Sequence, residues 1–366
     1  MSYIGEDSFF SYRDGKCEFV KGCSSLSAAA SCLGRKLAVV SKRFTAGCCD
    51  YRSVHVLYAI CSGIAEAGAD VYVCESTDIP SLLFSQPLLA ADCALYVNGG
   101  DCGNSVSLFN NYSFPFSDTA LQKLLDTVPG KHTGKSGRMI PMTSFSSILA
   151  NNISDSVGGL KDKLPAGISC GNRFVRSLWQ EFFSGEDDKL VFQVSDDGLR
   201  VNAYSQQHGF LSCEKLKACY AMKLLGKGEK VWLPEDMHYE ADIHFVNEKT
   251  KRLSYDDIPE NVPLQRFLTD PLFMCVKLFS DADGTGSVLR SMPELASSRR
   301  EITVTNICHI PFGSLYSENS GRISVDRSGR NRIRLTVQSY STEAAAELCS
   351  VWTEKLRRLD VCGRSD

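Results

Sequence analysis

No run of about 18 apolar residues occurs in this 366-residue chain, which argues against a membrane-spanning helix. The first residues, Met1 to Asp7, lack a basic segment followed by an apolar stretch, so no secretory leader is expected. Neither charge sign is in excess: 40 Lys and Arg against 43 Asp and Glu give a net charge of −3. A dedicated nucleic-acid binder would carry a basic surplus, and none is present. The 16 cysteines include no C-x-x-C pair and are scattered through apolar context. A zinc or dithiol motif is thereby excluded, and buried free thiols in a reducing cytoplasm are expected. Cys48-Cys49 is an adjacent pair in a loop, with nothing nearby to lower its pKa.

Common catalytic signatures are also missing. The six histidines, at 55, 132, 208, 238, 244 and 309, show no metal-ligand spacing, and no G-x-S-x-G elbow occurs. Gly134-Lys135-Ser136 looks like the end of a phosphate loop, but Pro129 stands where the leading glycine belongs. Asp281 to Gly286 opens like a calcium loop, yet Met292 holds the place of the closing carboxylate, so a turn between helices is expected.

What is there is alternation. Leu37–Val40 reads as a strand, Val54–Ala67 as a helix with Gly68 closing it, and Val71–Cys74 as a strand. A helix over 81–90 and a strand at Ala94–Val97 follow, and a helix over Thr119–Thr127. Strand and helix in turn imply βαβ units and a mostly parallel sheet, with ligands at the loops beyond the strands' carboxyl ends. Residues 128–165 are loop-rich and read as a boundary. Beyond it come a strand at Leu190–Val194, a helix over Leu211–Leu225 and short helices at 271–280 and 288–295. Strands at Arg322–Val325 and Ile333–Gln338 flank a polar loop, 326–332, and an amphipathic helix runs from Ser341 or Thr342 to about Leu359. In that loop, Asp326-Arg327-Ser328-Gly329-Arg330-Asn331-Arg332 combines bidentate donors with a glycine, a plausible cradle for an anion.

The order of these pieces resembles the α-D-phosphohexomutases, the phosphoglucomutase, phosphomannomutase and phosphoglucosamine mutase family. Val39-Val40-Ser41-Lys42-Arg43 with Ala69 to Val73 is similar to that family's VVGRDTR…G.DVY segment, and Asp78-Ile79-Pro80 to its T-P. Asn104 to Phe109 is similar to NGIKLF, Phe192–Val201 to the strand and metal loop, and Ser212 to Leu216 to the helix start after it. Asp270-Pro271-Leu272 and Ser287 to Leu295 fit the DGI…SLSEL region, and residues 321–359 the phosphate-binding domain at the end. The resemblance implies an α/β chain of phosphohexomutase-like mixed domains with a C-terminal α+β phosphate-binding-like domain. It implies four parts, over 1–145, 146–200 (reduced), 201–300 and 301–366.

Erosion falls on the chemical loops. The family's phosphoserine sits in T-A-S-H-N-P, and here Gly100 takes that position, leaving Ser105 as the nearest downstream hydroxyl. A glycine cannot carry a phosphoryl group. The metal loop D-G-D-A-D-R reads Ser195-Asp196-Asp197-Gly198-Leu199-Arg200, with only Asp197 on a ligand position. Magnesium wants octahedral oxygen, and one carboxylate is poor provision. The sugar-reading G-E-x-S-G-H has no counterpart between 240 and 270, and the N-terminal G-T-[SD]-G-[IL]-R-G is not recognisable. The C-terminal loop keeps Ser328-Gly329, flanked by Arg327 and Arg330, as the candidate phosphate site. The resemblance thus implies a cytoplasmic, catalytically inactive member without a cofactor. Such a protein would sense a sugar phosphate or act as a scaffold for a protein partner or a second copy, away from nucleic acid and membrane. The alternative is an active mutase using Ser105 and magnesium.

Overall fold

In a computed structural model the described residues are 10–13, 16–19, 26–99, 104–128, 135–185, 187, 189–234, 250–253, 265–292, 296–304, 313–317, 321–329, 332–339 and 341–362. The chain divides into two units, residues 1–217 with 254–282, and residues 218–253 with 283–366.

The first unit opens with a hairpin, β1 (Phe10–Arg13) and β2 (Lys16–Phe19), followed by α1 (Leu26–Val40) and β3 (Arg43–Cys48). Leu37–Val40 is therefore the last turn of a helix and not a strand. Its β-branched pair, Val39 and Val40, is half exposed there, while β3 supplies the buried strand from Phe44, Thr45, Ala46 and Cys48. A 3-10 turn at Tyr51–Ser53 leads into α2 (Val54–Glu66), closed by Gly68 at φ 88°. Then come β4 (Asp70–Cys74), α3 (Ile79–Leu88), β5 (Cys93–Asn98), β6 (Ser105–Phe109), α4 (Asp118–Asp126) and β7 (Met139–Pro141). Asp78 and Ser117 cap α3 and α4 through side-chain oxygens, and Pro80 sits in the first turn of α3.

These strands make one sheet in the order β1-β2-β6-β5-β3-β4-β7. β3, β4, β5 and β7 run parallel, and β6 and β2 are antiparallel additions. The core cluster on one face joins α1, α2 and α4 to the sheet through Leu33, Leu37, Leu57, Ile60, Ile64 and Leu121. The other face carries α3, with Ile79, Leu82 and Leu83 against Tyr96 and Phe109.

Residues 128–165, expected to be a loop-rich boundary, hold α5 (Ser146–Ser156) and the start of β8 (Leu164–Ser169). α6 (Arg173–Trp179), β9 (Phe183–Gly185), β10 (Leu190–Val194), β11 (Val201–Ser205) and β12 (Gly209–Leu211) follow. They form a second sheet in the order β12-β11-β10-β8-β9. Trp179, Phe183 and Phe192 cluster with ring centroids within 5.7 Å of one another, Trp179 and Phe183 stacked and Phe192 tilted against both. The chain crosses to the second unit within α7 (Cys213–Gly226) and pairs β13 (Val231–Pro234) with β14 (Thr250–Leu253). α8 (Pro271–Phe279) belongs to the first unit, where Phe279 meets Phe192 edge-on at 5.2 Å.

α9 (Ala282–Ser291) takes in Gly284-Thr285-Gly286, so this stretch is helical and not a turn between helices. The second unit ends with β15 (Ala296–Thr303), β16 (Gly313–Ser317), β17 (Gly321–Gly329), β18 (Arg332–Ser339) and α10 (Thr342–Cys362). The four strands form an antiparallel sheet in the order β15-β18-β17-β16. Ile302, Ile323, Val325, Ile333, Leu335 and Val337 pack against Cys349 and Leu356 of α10, whose Val351 faces water instead.

Candidate functional site

Three parallel strands of the first sheet, β3, β4 and β5, end together, and their loops are tied to each other. Thr77 N donates to Cys48 O at 3.0 Å, and Tyr96 Oη donates to Thr77 O at 3.2 Å. The loop after β3 carries Cys49-Asp50-Tyr51-Arg52-Ser53, where Arg52 N donates to Asp50 Oδ1. Sequence reading placed the strand too early and so expected the ligand loop after Val40; of the pair Cys48-Cys49, read as loop, Cys48 ends β3 and only Cys49 is loop. The signal of the true loop was present, since an Asp directly before a 3-10 turn and helix is a capping pattern. The loop after β5 passes close by: a Cβ on Gly99 would lie 2.3 Å from Ser53 Oγ. Gly100 lies outside the described residues. Ser105 is the first residue of β6, paired in the ladder with Asn98 on one side and Glu18 on the other. Burial holds the Cys49 thiol above its usual range. That leaves a neutral thiol that accepts from Asn172 Nδ2 at 2.8 Å.

The turn between β10 and β11 is brought to the same place. Ile79 N, at the start of α3, donates to Asp197 O at 3.0 Å. Asn172 N donates to Asp196 Oδ1 at 2.9 Å, and Asn172 Nδ2 to Asp196 O at 3.0 Å. Gly198 adopts φ 76°, and a Cβ there would stand 3.1 Å from Asp78 Oδ2, so the turn needs glycine on both counts. Beneath it Asp78, 1 % exposed, accepts from Ser81 N. Burial, with the nearby charge of Asp270 adding to it, pushes the Asp78 carboxyl up to about 6. Asp270 is also raised by burial, against the pull of Arg266, whose Nε is 2.7 Å away.

Asp197 has both oxygens engaged. Oδ1 accepts from Ser195 Oγ at 2.7 Å and from Leu199 N at 3.1 Å, and Oδ2 faces Lys16 Nζ at 3.8 Å. Magnesium needs several oxygen donors in near-octahedral array, held by carboxylates. Here the Ser195 hydroxyl donates to Asp197 and accepts from Arg200 N, one oxygen of Asp196 is bound by an amide N–H, and an ammonium already stands beside Asp197. The donor set does not fit magnesium, and no step is assigned to a metal. Lys16 itself had no sequence signal, because the short hairpin that presents it was not legible.

The C-terminal anion loop is rearranged. Asp326 to Gly329 are strand, with a bulge between Arg327 and Gly329, and Arg332 opens β18, so most of the expected seven-residue loop is strand. Arg327, Ser328 and Gly329 end β17, and Arg330 lies outside the described residues. They belong to the second unit, whereas Ser105 and Asp197 belong to the first. A shallow cavity of about 460 Å³ opens at the opposite, amino ends of β3 and β4, between Lys42, Arg43, Asp70 and Asp92.

No protein-family model matches the sequence. No curated protein matches it either. Solved structures do. A phosphoglucomutase/phosphomannomutase family protein from Burkholderia thailandensis aligns at a TM-score of 0.68 and 13% identity, over 97% of this chain and 98% of that one. The Paramecium phosphoprotein parafusin, a phosphoglucomutase, aligns at 0.62 and 8% identity, over 98% and 95%. A putative phosphomannomutase from Thermus thermophilus aligns at 0.59 and 13% identity, over 89% and 93%. At such identities the likeness is one of architecture, and it spans both units: this chain has the fold of the α-D-phosphohexomutases.

Proposed function

We propose that this protein is a catalytically inactive phosphohexomutase-like protein that binds a sugar phosphate as a sensor. The observation that carries the reading is the fate of the nucleophile. Glycine occupies position 100, where the resembled family carries its phosphoserine. The nearest downstream hydroxyl, Ser105, is held in a ladder between Asn98 and Glu18 instead of at a loop tip. A hydroxyl fixed in a strand cannot approach both a donor and an acceptor sugar in line. The retained anion-binding chemistry is that of Arg327, Ser328, Gly329 and Arg330. A reducing, cytoplasmic setting accords with twelve described cysteines that are all free thiols. Among the described residues no helix is long and apolar enough to cross a membrane.

A second reading rests on one feature: Glu18 stands opposite Ser105, a carboxylate one ladder step from a hydroxyl. It makes the protein a mutase with a relocated serine. The two readings part on incubation with glucose 1,6-bisphosphate followed by peptide mass mapping. The sensor leaves every serine of segment 98–107 unmodified, and phosphate on Ser105 establishes the enzyme. Thermal-shift titration with glucose, mannose and glucosamine phosphates is expected to raise Tm, because a ligand of the native state stabilises it by mass action. Arg330→Ala is expected to abolish that rise. No rise with any of them leaves a scaffold for a protein partner or a second copy.

A further inference from the structure

We propose that Lys16 is the resident cation of the 195–200 turn, doing for Asp197 what a bound divalent metal would otherwise do, so that this site works without one. Three observations carry it. Lys16 belongs to β2, an antiparallel strand that joins the parallel sheet through β6, and its ladder partner is Ser107. Cross-strand partners point to the same face, which is the face of Asn98, since Asn98 Nδ2 donates to Ser107 Oγ at 3.1 Å. In register Lys16 is level with Tyr96, near the carboxyl end of β5, and its ammonium reaches the turn from there. Secondly, Lys16 Nζ meets the one Asp197 oxygen that no hydrogen bond occupies, at 3.8 Å, with the lysine 37% and the aspartate 16% exposed. Thirdly, the Ser195 hydroxyl and one oxygen of Asp196 are engaged by the chain itself. Ser195 Oγ is shared between Asp197 Oδ1 and the N–H of Arg200, and Asp196 Oδ1 takes the N–H of Asn172.

An ammonium and a divalent ion compete for the same carboxylate, but they differ in what they require. Lysine brings one charge on a flexible stem and needs a single acceptor, whereas magnesium needs a cage. A turn that offers one Asp197 oxygen, with its hydroxyl already committed, suits the first. The exposed geometry makes the pair a modest contributor to stability and an effective electrostatic plug.

The test uses the full-length chain and magnesium chloride as the probe. For the wild type, Tm is expected to be the same in EDTA and in millimolar magnesium. Lys16→Met leaves Asp197 Oδ2 and the neighbouring Asp196 without a counter-charge, so its Tm is expected to fall slightly in EDTA and to recover with magnesium. Lys16→Arg, which keeps the charge, is expected to melt like the wild type and to ignore magnesium. A wild-type Tm that rises with magnesium overturns the proposal, as does a Lys16→Met protein as indifferent to magnesium as the wild type. One arm rests on the sugar-phosphate reading: the affinity for glucose 1-phosphate is expected to be equal in EDTA and in magnesium. If no sugar phosphate binds, that reading fails, while the magnesium arms still decide the role of Lys16.

Discussion

Replacing Gly63 by valine is expected to lower Tm by roughly 6–12 °C, which corresponds to a loss of about 3 kcal/mol or more. The reason is the crossing of α1 and α2. A Cβ on Gly63 would lie 2.1 Å from Ser31 O, and a Cβ on Gly34 would lie 2.1 Å from Ile60 O. Each helix thus presents a glycine to the other's backbone. Neither obstructing atom is the end of a side chain that could rotate aside, so any side chain at 34 or 63 must push the helices apart. Leu33, Leu37, Leu57, Ile60 and Ile64, all within 1% of full burial, would lose their contacts together. Circular dichroism melts of Gly63→Val and Gly34→Val should show similar losses. A melting temperature within about a degree of the wild type in either would refute the close crossing.

That crossing also shows how far the sequence could be read. The helical spacing of Val54–Ala67 is evident, because its apolar positions repeat at the helix period and Gly68 ends it. α1 was hidden because its last turn, Leu37–Val40, looks like a short buried strand when taken alone. The true strand, Arg43-Phe44-Thr45-Ala46-Gly47-Cys48, has no β-branched aliphatic residue to announce it. The shift moved the expected first loop away from Asp50-Tyr51-Arg52. Likewise α5 contains Asn151-Asn152 and several serines, weak helix formers that its buried face of Leu149, Ala150 and Ile153 overrides. At the far end, the polar letters of 326–329 read as loop, yet they extend β17 because they pair in the ladder with Arg332, Ile333 and Arg334 of β18. Of the site itself, Asp197 and the register of the fold were legible from motif order. Lys16, Asp78 and Asp270 were not, since their importance arises from burial and proximity that no local pattern records.

Asp78→Asn should stabilise the protein at neutral pH. The native carboxyl titrates at about 6 against an ordinary value of 3.8, because it is buried and shares its surroundings with Asp270. A carboxylate whose folded pKa lies above its unfolded one binds its proton more tightly in the native state. Its contribution is therefore complete below the unfolded value and is lost as pH rises through the folded one. Over that window, from about pH 4 to pH 6, the linkage amounts to about 3 kcal/mol. Asparagine keeps the cap on α3, since its side-chain oxygen can accept from Ser81 N as Asp78 does. It also removes the charge that Asp270 must tolerate. Urea denaturation at pH 5 and pH 7.5 checks this: the variant's advantage should be about half as large at pH 5 and reach about 3 kcal/mol at pH 7.5. A variant less stable than the wild type at pH 7.5 would show that the negative charge on Asp78 supports the turn above it.

The first unit is completed only by residues 254–282, after the chain has left it for 218–253. On a ribosome this imposes a wait. When Lys217 emerges, the sheet that carries Phe192 lacks α8, and Phe279 has not yet been made to close its aromatic cluster. At roughly 5–20 residues per second that cluster stays open to water for several seconds of synthesis. The nascent chain is therefore exposed to chaperones and to aggregation at a defined point of elongation. A shortened product that ends at residue 217 would carry that apolar opening permanently.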